Sequence, residues 1–124
     1  MTTSLTTGLT GESRRTVTDE VTAVRLGSGD VNVFGTPALL ALLEEAAVAA
    51  VRGALQDDTT SVGTWVELEH RAPSRVGAEV RGIARLIHVD GRTLTFECEA
   101  YDGETLIGTA RHRRAIVSRA RFGS

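Results

Sequence analysis

The sequence predicts an α+β domain in which a curved antiparallel sheet of five strands wraps around one central helix. Residues 37–55 are almost entirely Ala and Leu, with charge only at Glu44, Glu45 and Arg52. A helix that is apolar on most of its sides is usually surrounded by other elements. The rest of the chain after this helix has the alternation of strands, interrupted by turn residues. The predicted order is therefore β-α-β-β-β-β.

The first strand is predicted over residues 16–26, which are rich in β-branched side chains. Residues 1–13 are rich in Thr, Ser and Gly without apolar periodicity, so they are predicted to form a flexible tail before a single domain of residues 14–124. Three glycines in the next loop precede Thr36 and Pro37. A threonine followed by a proline is typical of a helix start, and a helix of about four turns is predicted there.

Four strands are predicted after the helix, at residues 62–70, 79–89, 93–101 and 105–117. Asp90-Gly91 and Asp102-Gly103 are turn sequences, so the last three strands are predicted to form an antiparallel meander. A curved sheet around one helix is the hotdog architecture. Such a sheet leaves an edge strand and apolar surface uncovered, and a second copy would cover both, which predicts a homodimer.

Composition excludes several classes of function. All 14 basic residues are Arg and the net charge is −2, which argues against a nucleic-acid partner. Without Lys the chain has neither a Schiff-base residue nor a lysine-ending phosphate loop. The single cysteine, Cys98, excludes an internal disulfide and fits the cytoplasm. With no signal peptide and no apolar span, no membrane partner is expected.

Carboxylates and histidines are the candidates for acid–base chemistry. Glu44 and Glu45 lie in the predicted central helix, and adjacent helix residues point about 100° apart, so only one can share a given face. A buried carboxylate persists when it is paired or when it has a task. His70, His88 and His112 could be either surface residues or acid–base groups. Because they are widely spaced, they form no metal-ligand pattern, and no metal or cofactor is expected.

The last predicted strand carries a basic run, Arg111-His112-Arg113-Arg114. Alternate strand residues face opposite sides of a sheet, so Arg114 shares a face with His112 and not with Arg113. An inward guanidinium needs a carboxylate, a carbonyl or a phosphate as its partner, whereas an outward one keeps the surface solvated. Both interpretations are open for each Arg.

Three segments together carry a family resemblance: FGTPALLALLEEAA, GTWVELEHRAPSRVG and DGETLIGTARHRRAIV. In order and spacing they resemble the fluoroacetyl-CoA thioesterase branch of the hotdog thioesterases, over about residues 30–118. The resemblance implies that five residues assemble around a thioester. The catalytic positions of the family fall on Thr36, Glu44 and His70, and the substrate-binding positions fall on Gly63 and Arg114.

The resemblance implies hydrolysis of a small acyl-CoA, in which coenzyme A is part of the substrate. Thr36, Glu44, His70 and a backbone N–H such as that of Gly63 would supply the nucleophile, base, proton donor and oxyanion donor. We expect Glu44→Ala, but not Glu45→Ala, to lower kcat, and Arg114→Ala mainly to raise KM. The alternative is a non-catalytic hotdog dimer that binds acyl-CoA or a small hydrophobic ligand. A hotdog hydratase fits less well, because Gly35 occupies the position of its histidine.

Overall fold

The computed structural model describes residues 5–122 and contains one five-stranded antiparallel sheet curled around one long helix. In chain order the elements are β1 (Thr10–Thr16), α1 (Ala23–Leu26), α2 (Thr36–Ala50), β2 (Thr59–His70), β3 (Glu79–Asp90), β4 (Thr93–Asp102) and β5 (Thr105–Ser118), with short 3₁₀ turns at Asp19–Val21 and Arg119–Phe122. The strands are ordered β1-β3-β4-β5-β2 in the sheet. The predicted hotdog fold is confirmed.

The meander and the helix start lie where the sequence predicts them. β4 pairs antiparallel with both β3 and β5. The two turns between them place Gly91 and Gly103 at φ 60°, a conformation that favours glycine. Helix α2 begins at Thr36 with Pro37 in its first turn. It ends at Ala50, five residues before the end of the apolar segment, and a turn with Gly53 at φ 85° follows.

The predictions for the N-terminal part were wrong in two respects. The first strand is residues 10–16 and not 16–26, and the latter range contains a 3₁₀ turn and the short helix α1. Residues 10–13 therefore belong to the sheet, paired with β3 from Thr10↔Arg85 onward, and not to a flexible tail. The prediction for residues 1–4 lies outside the described residues.

Strand β1 lacks an apolar pattern because α2 lies almost directly on it. Its two inward residues are Gly11 and Ser13. A Cβ at Gly11 would come within 2.2 Å of the Ala46 carbonyl oxygen, and the Ser13 hydroxyl donates to the Leu42 carbonyl oxygen at 2.6 Å. No large apolar side chain fits between strand and helix, so the alternation that identifies the other strands is absent here.

Helix α2 is buried on one side only within a single chain. Its inward face packs into the core through Ala38, Leu39, Leu42, Leu43, Ala46, Ala47 and Ala50. Glu45 and Val48 are exposed, and the Glu44 side chain retains 39% of its accessible surface. The prediction of a helix surrounded on most sides is therefore not met by one chain alone. None of the helices in the described part of the chain has the length and apolar character that a bilayer crossing requires.

The close approach of α2 to β1 predicts a steep stability cost for a methyl group at residue 11. Gly11→Ala should lower the free energy of unfolding by about 2 kcal/mol or more, because the new Cβ meets helix backbone that has no room to move. The control is Gly29→Ala, whose new Cβ meets only the Ala23 side chain at 3.4 Å. Urea unfolding of both variants measures the difference. Equal stability of the two would contradict this packing argument.

Candidate active site

Thr36 and His70 form a hydrogen-bonded pair at the start of α2. Thr36 occupies the first turn of the helix, and His70 is the last residue of β2. Thr36 Oγ1 and His70 Nδ1 are 2.8 Å apart. The other ring nitrogen, His70 Nε2, is buried and has no hydrogen-bond partner within residues 5–122. A hydroxyl beside an imidazole nitrogen is the arrangement that activates an alcohol as a nucleophile.

Burial tunes the protonation of His70. Removal of the ring from water lowers the pKa of His70 below its usual value, and the backbone of Ala72 opposes this effect only in part. The imidazole is therefore neutral at pH 7. A neutral ring can accept the hydroxyl proton of Thr36, which a protonated ring cannot do.

Glu44 is paired with Arg114 on the inner face of the sheet. Arg114 Nη1 donates to Glu44 Oε2 at 3.2 Å. The arginine side chain keeps only 7% of its accessible surface, whereas that of Glu44 keeps 39%. Burial lowers the pKa of Arg114, and the carboxylate of Glu44 raises it again. The carboxylate is thus held by a buried charge while it remains accessible to small molecules.

The remaining nitrogens of Arg114 are directed at Ser61. Nε donates to Ser61 Oγ at 2.8 Å and Nη2 donates to the Ser61 carbonyl oxygen at 3.1 Å. Every guanidinium nitrogen therefore has a protein partner. The geometry favours a role in holding Glu44 over the predicted direct contact with the acyl or phosphate groups of a substrate.

His112 completes the surroundings of Arg114 and is 3% exposed. Its Nε2 lies 3.1 Å from Arg114 Nη1 and 3.8 Å from Glu44 Oε2, and its Nδ1 lies 2.9 Å from the Trp65 carbonyl oxygen. Sequence reasoning left His112 unassigned, although its shared strand face with Arg114 was a usable signal. It missed Ser61 altogether, since no pattern marks this serine.

Gly63 provides space for the carboxylate. A Cβ at this position would lie 2.5 Å from Glu44 Oε2 and 3.2 Å from His112 Cε1. The family resemblance implies a backbone N–H donor at Gly63, and the structure adds a steric reason for glycine here. We refer to Glu44, Ser61, Gly63, His112 and Arg114 together as the Glu44 cluster.

In the structure of residues 5–122, two residues adjacent to site residues in the sequence form no hydrogen bond or ion pair with the cluster. Glu45 is exposed on α2, next to the paired Glu44. Arg113 lies on the outer face of the sheet, where its guanidinium carbon is 4.5 Å from the centroid of the Trp65 ring, in cation–π geometry. Both neighbours are therefore natural controls for substitutions in the cluster.

The five predicted site residues form two groups and not one. Thr36 and Glu44 are eight residues apart on α2, which corresponds to about 12 Å along the helix axis. His70 stays with Thr36, and Gly63 and Arg114 stay with Glu44. An open cavity of about 650 Å³ lies against Glu44 and Arg114, between the exposed side of α2 and strand β1. Among the described residues, no group of three or more His, Cys, Asp or Glu side chains is arranged to hold a metal ion.

Comparison with known proteins gives consistent matches. Residues 17–120 match the model of the family described as FlK: Fluoroacetyl-CoA-specific thioesterase. The fluoroacetyl-CoA thioesterase of Streptantibioticus cattleyicolor is 34% identical over 92 residues. That match covers 74% of this chain and 66% of the relative, which is just under two thirds of the relative's length.

Solved structures agree over nearly the whole chain. A structure of the fluoroacetyl-CoA thioesterase FlK is 28% identical with a TM-score of 0.89, and the match covers 96% of this chain and 93% of that one. A thioesterase superfamily member from Thermus thermophilus is 25% identical with a TM-score of 0.87, covering 95% and 88%. The fold and the sequence matches agree, and this chain belongs to the fluoroacetyl-CoA-specific thioesterase family.

Proposed function

We propose that this protein hydrolyses the thioester bond of a small acyl-CoA. The observation that carries the proposal is the hydrogen bond between Thr36 and His70 at the first turn of α2. Family membership supports the same chemistry. A protein that only binds acyl-CoA has no need of a hydroxyl aligned with the nitrogen of a neutral imidazole, so the non-catalytic alternative leaves this pair without a purpose.

The proposed reaction has two steps. The Thr36 hydroxyl attacks the thioester carbonyl while His70 takes its proton, and His70 then gives that proton to the departing coenzyme A sulfur. Water next attacks the carbonyl carbon of the acyl ester on Thr36 while the Glu44 carboxylate accepts a proton from this water. The bond between the acyl carbon and the Thr36 oxygen then breaks, and the proton held by Glu44 passes to that oxygen. A backbone N–H such as that of Gly63 would stabilise the negative oxygen, as the family resemblance implies. The products are the free acid and coenzyme A, and Thr36 is regenerated.

This mechanism needs Glu44 near Thr36, and we propose that a second copy of the chain provides it. β2 is an edge strand, and its Val62 and Trp65 side chains are 41% and 40% exposed. Antiparallel pairing of two β2 edges, centred near Val66, would set the His70 end of one strand beside the Ser61–Gly63 region of the other. The Thr36–His70 pair of one copy would then face the Glu44 cluster of the other.

Two features support this homodimer. The exposed face of α2, which includes Val48, lies on the same side as the accessible part of Glu44 and would be covered by a second copy. An unpaired edge strand can also pair with other chains and aggregate, so proteins usually cover it.

We further propose that the enzyme works in the cytoplasm, since its one cysteine, Cys98, is a buried free thiol that needs no oxidising compartment.

The function is tested by thiol release from short, branched and aromatic acyl-CoAs. Wild-type protein should release coenzyme A from at least one of them. Glu44→Gln should lower kcat by about 100-fold or more because the second step loses its base. Glu45→Gln is the matched control and should retain activity, since Glu45 is exposed. Acyl-CoA binding without thiol release by the wild type would favour the non-catalytic alternative, and equal losses in both variants would remove Glu44 from the mechanism.

The pH dependence of kcat/KM should reflect the protonation of His70. Because burial lowers the pKa of His70 below its usual 6.5, the ring is neutral at pH 7 and gains a proton only on the acid side. We expect kcat/KM to fall as the pH decreases through that lowered pKa. This acid limb should disappear in His70→Ala and remain in His88→Ala, which changes an exposed histidine. An unchanged limb in His70→Ala would exclude His70 as the base.

Mixing two inactive variants tests whether copies share the site. Thr36→Ala and Glu44→Gln each disable both sites of a homodimer, but a mixed dimer has one site with both residues intact. Random pairing after co-expression should therefore restore about a quarter of the wild-type activity. Light scattering should give a mass of two chains. Failure to restore activity in a confirmed mixed dimer would place the whole site within one chain.

A further inference from the structure

We propose that His112 is a positioning residue that fixes the Arg114 guanidinium and, through it, the reactive orientation of the Glu44 carboxylate. The hydrogen bonds of the Glu44 cluster carry this inference. Its effect on kcat also depends on the hydrolysis proposed above. Neither the family resemblance nor the matched segments assigned a role to His112.

The partners of His112 define its protonation pattern. The Trp65 carbonyl oxygen, 2.9 Å from Nδ1, can only accept a hydrogen bond, so Nδ1 carries the proton. Nε2 of the neutral ring then has a lone pair, and it accepts from Arg114 Nη1 at 3.1 Å. Both ring nitrogens are used, as a buried imidazole requires. The carbonyl belongs to the irregular stretch of β2 between Gly63 and Trp65.

Burial keeps His112 in the form that can accept. Loss of water lowers the pKa of His112, the Trp65 carbonyl raises it, the nearby Arg114 charge lowers it, and Glu44 raises it. The direction is downward, so the ring is neutral at neutral pH. A protonated ring would place an N–H against the N–H of Arg114 and would repel its charge.

Arg114 Nη1 is the shared atom of the arrangement. It has two hydrogens, one directed to His112 Nε2 and the other to Glu44 Oε2. Together with the two bonds to Ser61, the histidine therefore holds the guanidinium plane in one orientation. Both Arg114 and His112 approach Oε2, and Glu44 Oε1 has no side-chain hydrogen bond within residues 5–122. Oε1 is the oxygen left to contact water.

A packing role alone does not require histidine here. The ring lies beside Phe96, with centroids 6.2 Å apart, and an apolar side chain would fill the same volume. Burial of a polar ring costs free energy unless its hydrogen bonds are made, and the bonds of His112 link the carbonyl of β2 to the guanidinium. The bond to Arg114 is the one that reaches the carboxylate.

Two substitutions separate the two hydrogen bonds. His112→Asn keeps a donor for the Trp65 carbonyl but has no acceptor near the position of Nε2, whereas His112→Gln keeps an oxygen near that position. We expect His112→Asn to lower kcat by about 10- to 100-fold with KM changed less than about 3-fold, because the carboxylate is misplaced. His112→Gln should recover much of kcat. Arg113→Ala, on the outer face, should match the wild type.

A double-mutant cycle tests whether the effect passes through Glu44. If it does, His112→Asn should have little further effect on kcat in a Glu44→Gln background. The same fold loss in both backgrounds would overturn the proposal, and so would full kcat in a folded His112→Asn protein. Melting temperatures establish that each variant is folded.

Nitrogen-15 shifts of the His112 ring in wild-type protein give a readout independent of turnover and of any substitution. The proposal requires a neutral ring protonated at Nδ1 near pH 7. A ring protonated at Nε2, or at both nitrogens, would overturn it even if no acyl-CoA were hydrolysed. If the wild-type protein hydrolysed no acyl-CoA, the proposed function would be overturned instead. Failure of the His112 proposal and failure of the proposed function are therefore distinguishable.

Discussion

The close contact between helix α2 and the concave face of the sheet is the constraint on which the rest of the structure depends. A Cβ would lie 2.2 Å from the nearest α2 atom at Gly11, 3.1 Å at Gly82 and 2.8 Å at Gly108, so sheet and helix are in close contact at all three glycines. Small residues bring the helix axis close to the strands, so that a short side chain on one element reaches the other. The Ser13 hydroxyl, for example, reaches the Leu42 carbonyl oxygen. The same short distance lets Glu44 enter the space left by Gly63.

This packing also determines how far apart the chemical groups lie. Thr36 is at the first turn of α2 and Glu44 is two turns further along, so each meets a different part of β2. Thr36 meets His70 at the end of the strand, and Glu44 meets Gly63 near its middle. A single chain therefore presents the Thr36–His70 pair and the Glu44 cluster as two separate groups. In the homodimer proposed above, antiparallel pairing of two β2 edges centred near Val66 would bring the Thr36–His70 pair of one copy to the Glu44 cluster of the other.

Much of this fold could be predicted from the sequence because periodicity and turn chemistry report it. The Ala- and Leu-rich helix and the three-stranded meander carry strong local signals. β1 carries no such signal, since its inward positions are Gly11 and Ser13. The first strand was therefore predicted at residues 16–26, where Val17 and Val21 are buried although they form no strand. The candidate site residues were predicted from the family resemblance. Local sequence patterns do not show that these residues divide into two groups or that Ser61 binds Arg114, because both depend on tertiary contacts.

Arg114 is buried and Glu44 is accessible, so the arginine is suited to hold the carboxylate and the carboxylate is suited to react. A buried ion pair stabilises a protein little unless its remaining hydrogen bonds are satisfied. Here Ser61 and His112 accept the remaining hydrogen bonds of the arginine, so every guanidinium nitrogen is bound to a protein atom. The carboxylate receives one bond from Arg114 and keeps 39% of its surface accessible. A group held on one oxygen and open on the other is suited to bind and deprotonate water, whereas a fully bonded guanidinium is suited to keep that group in place.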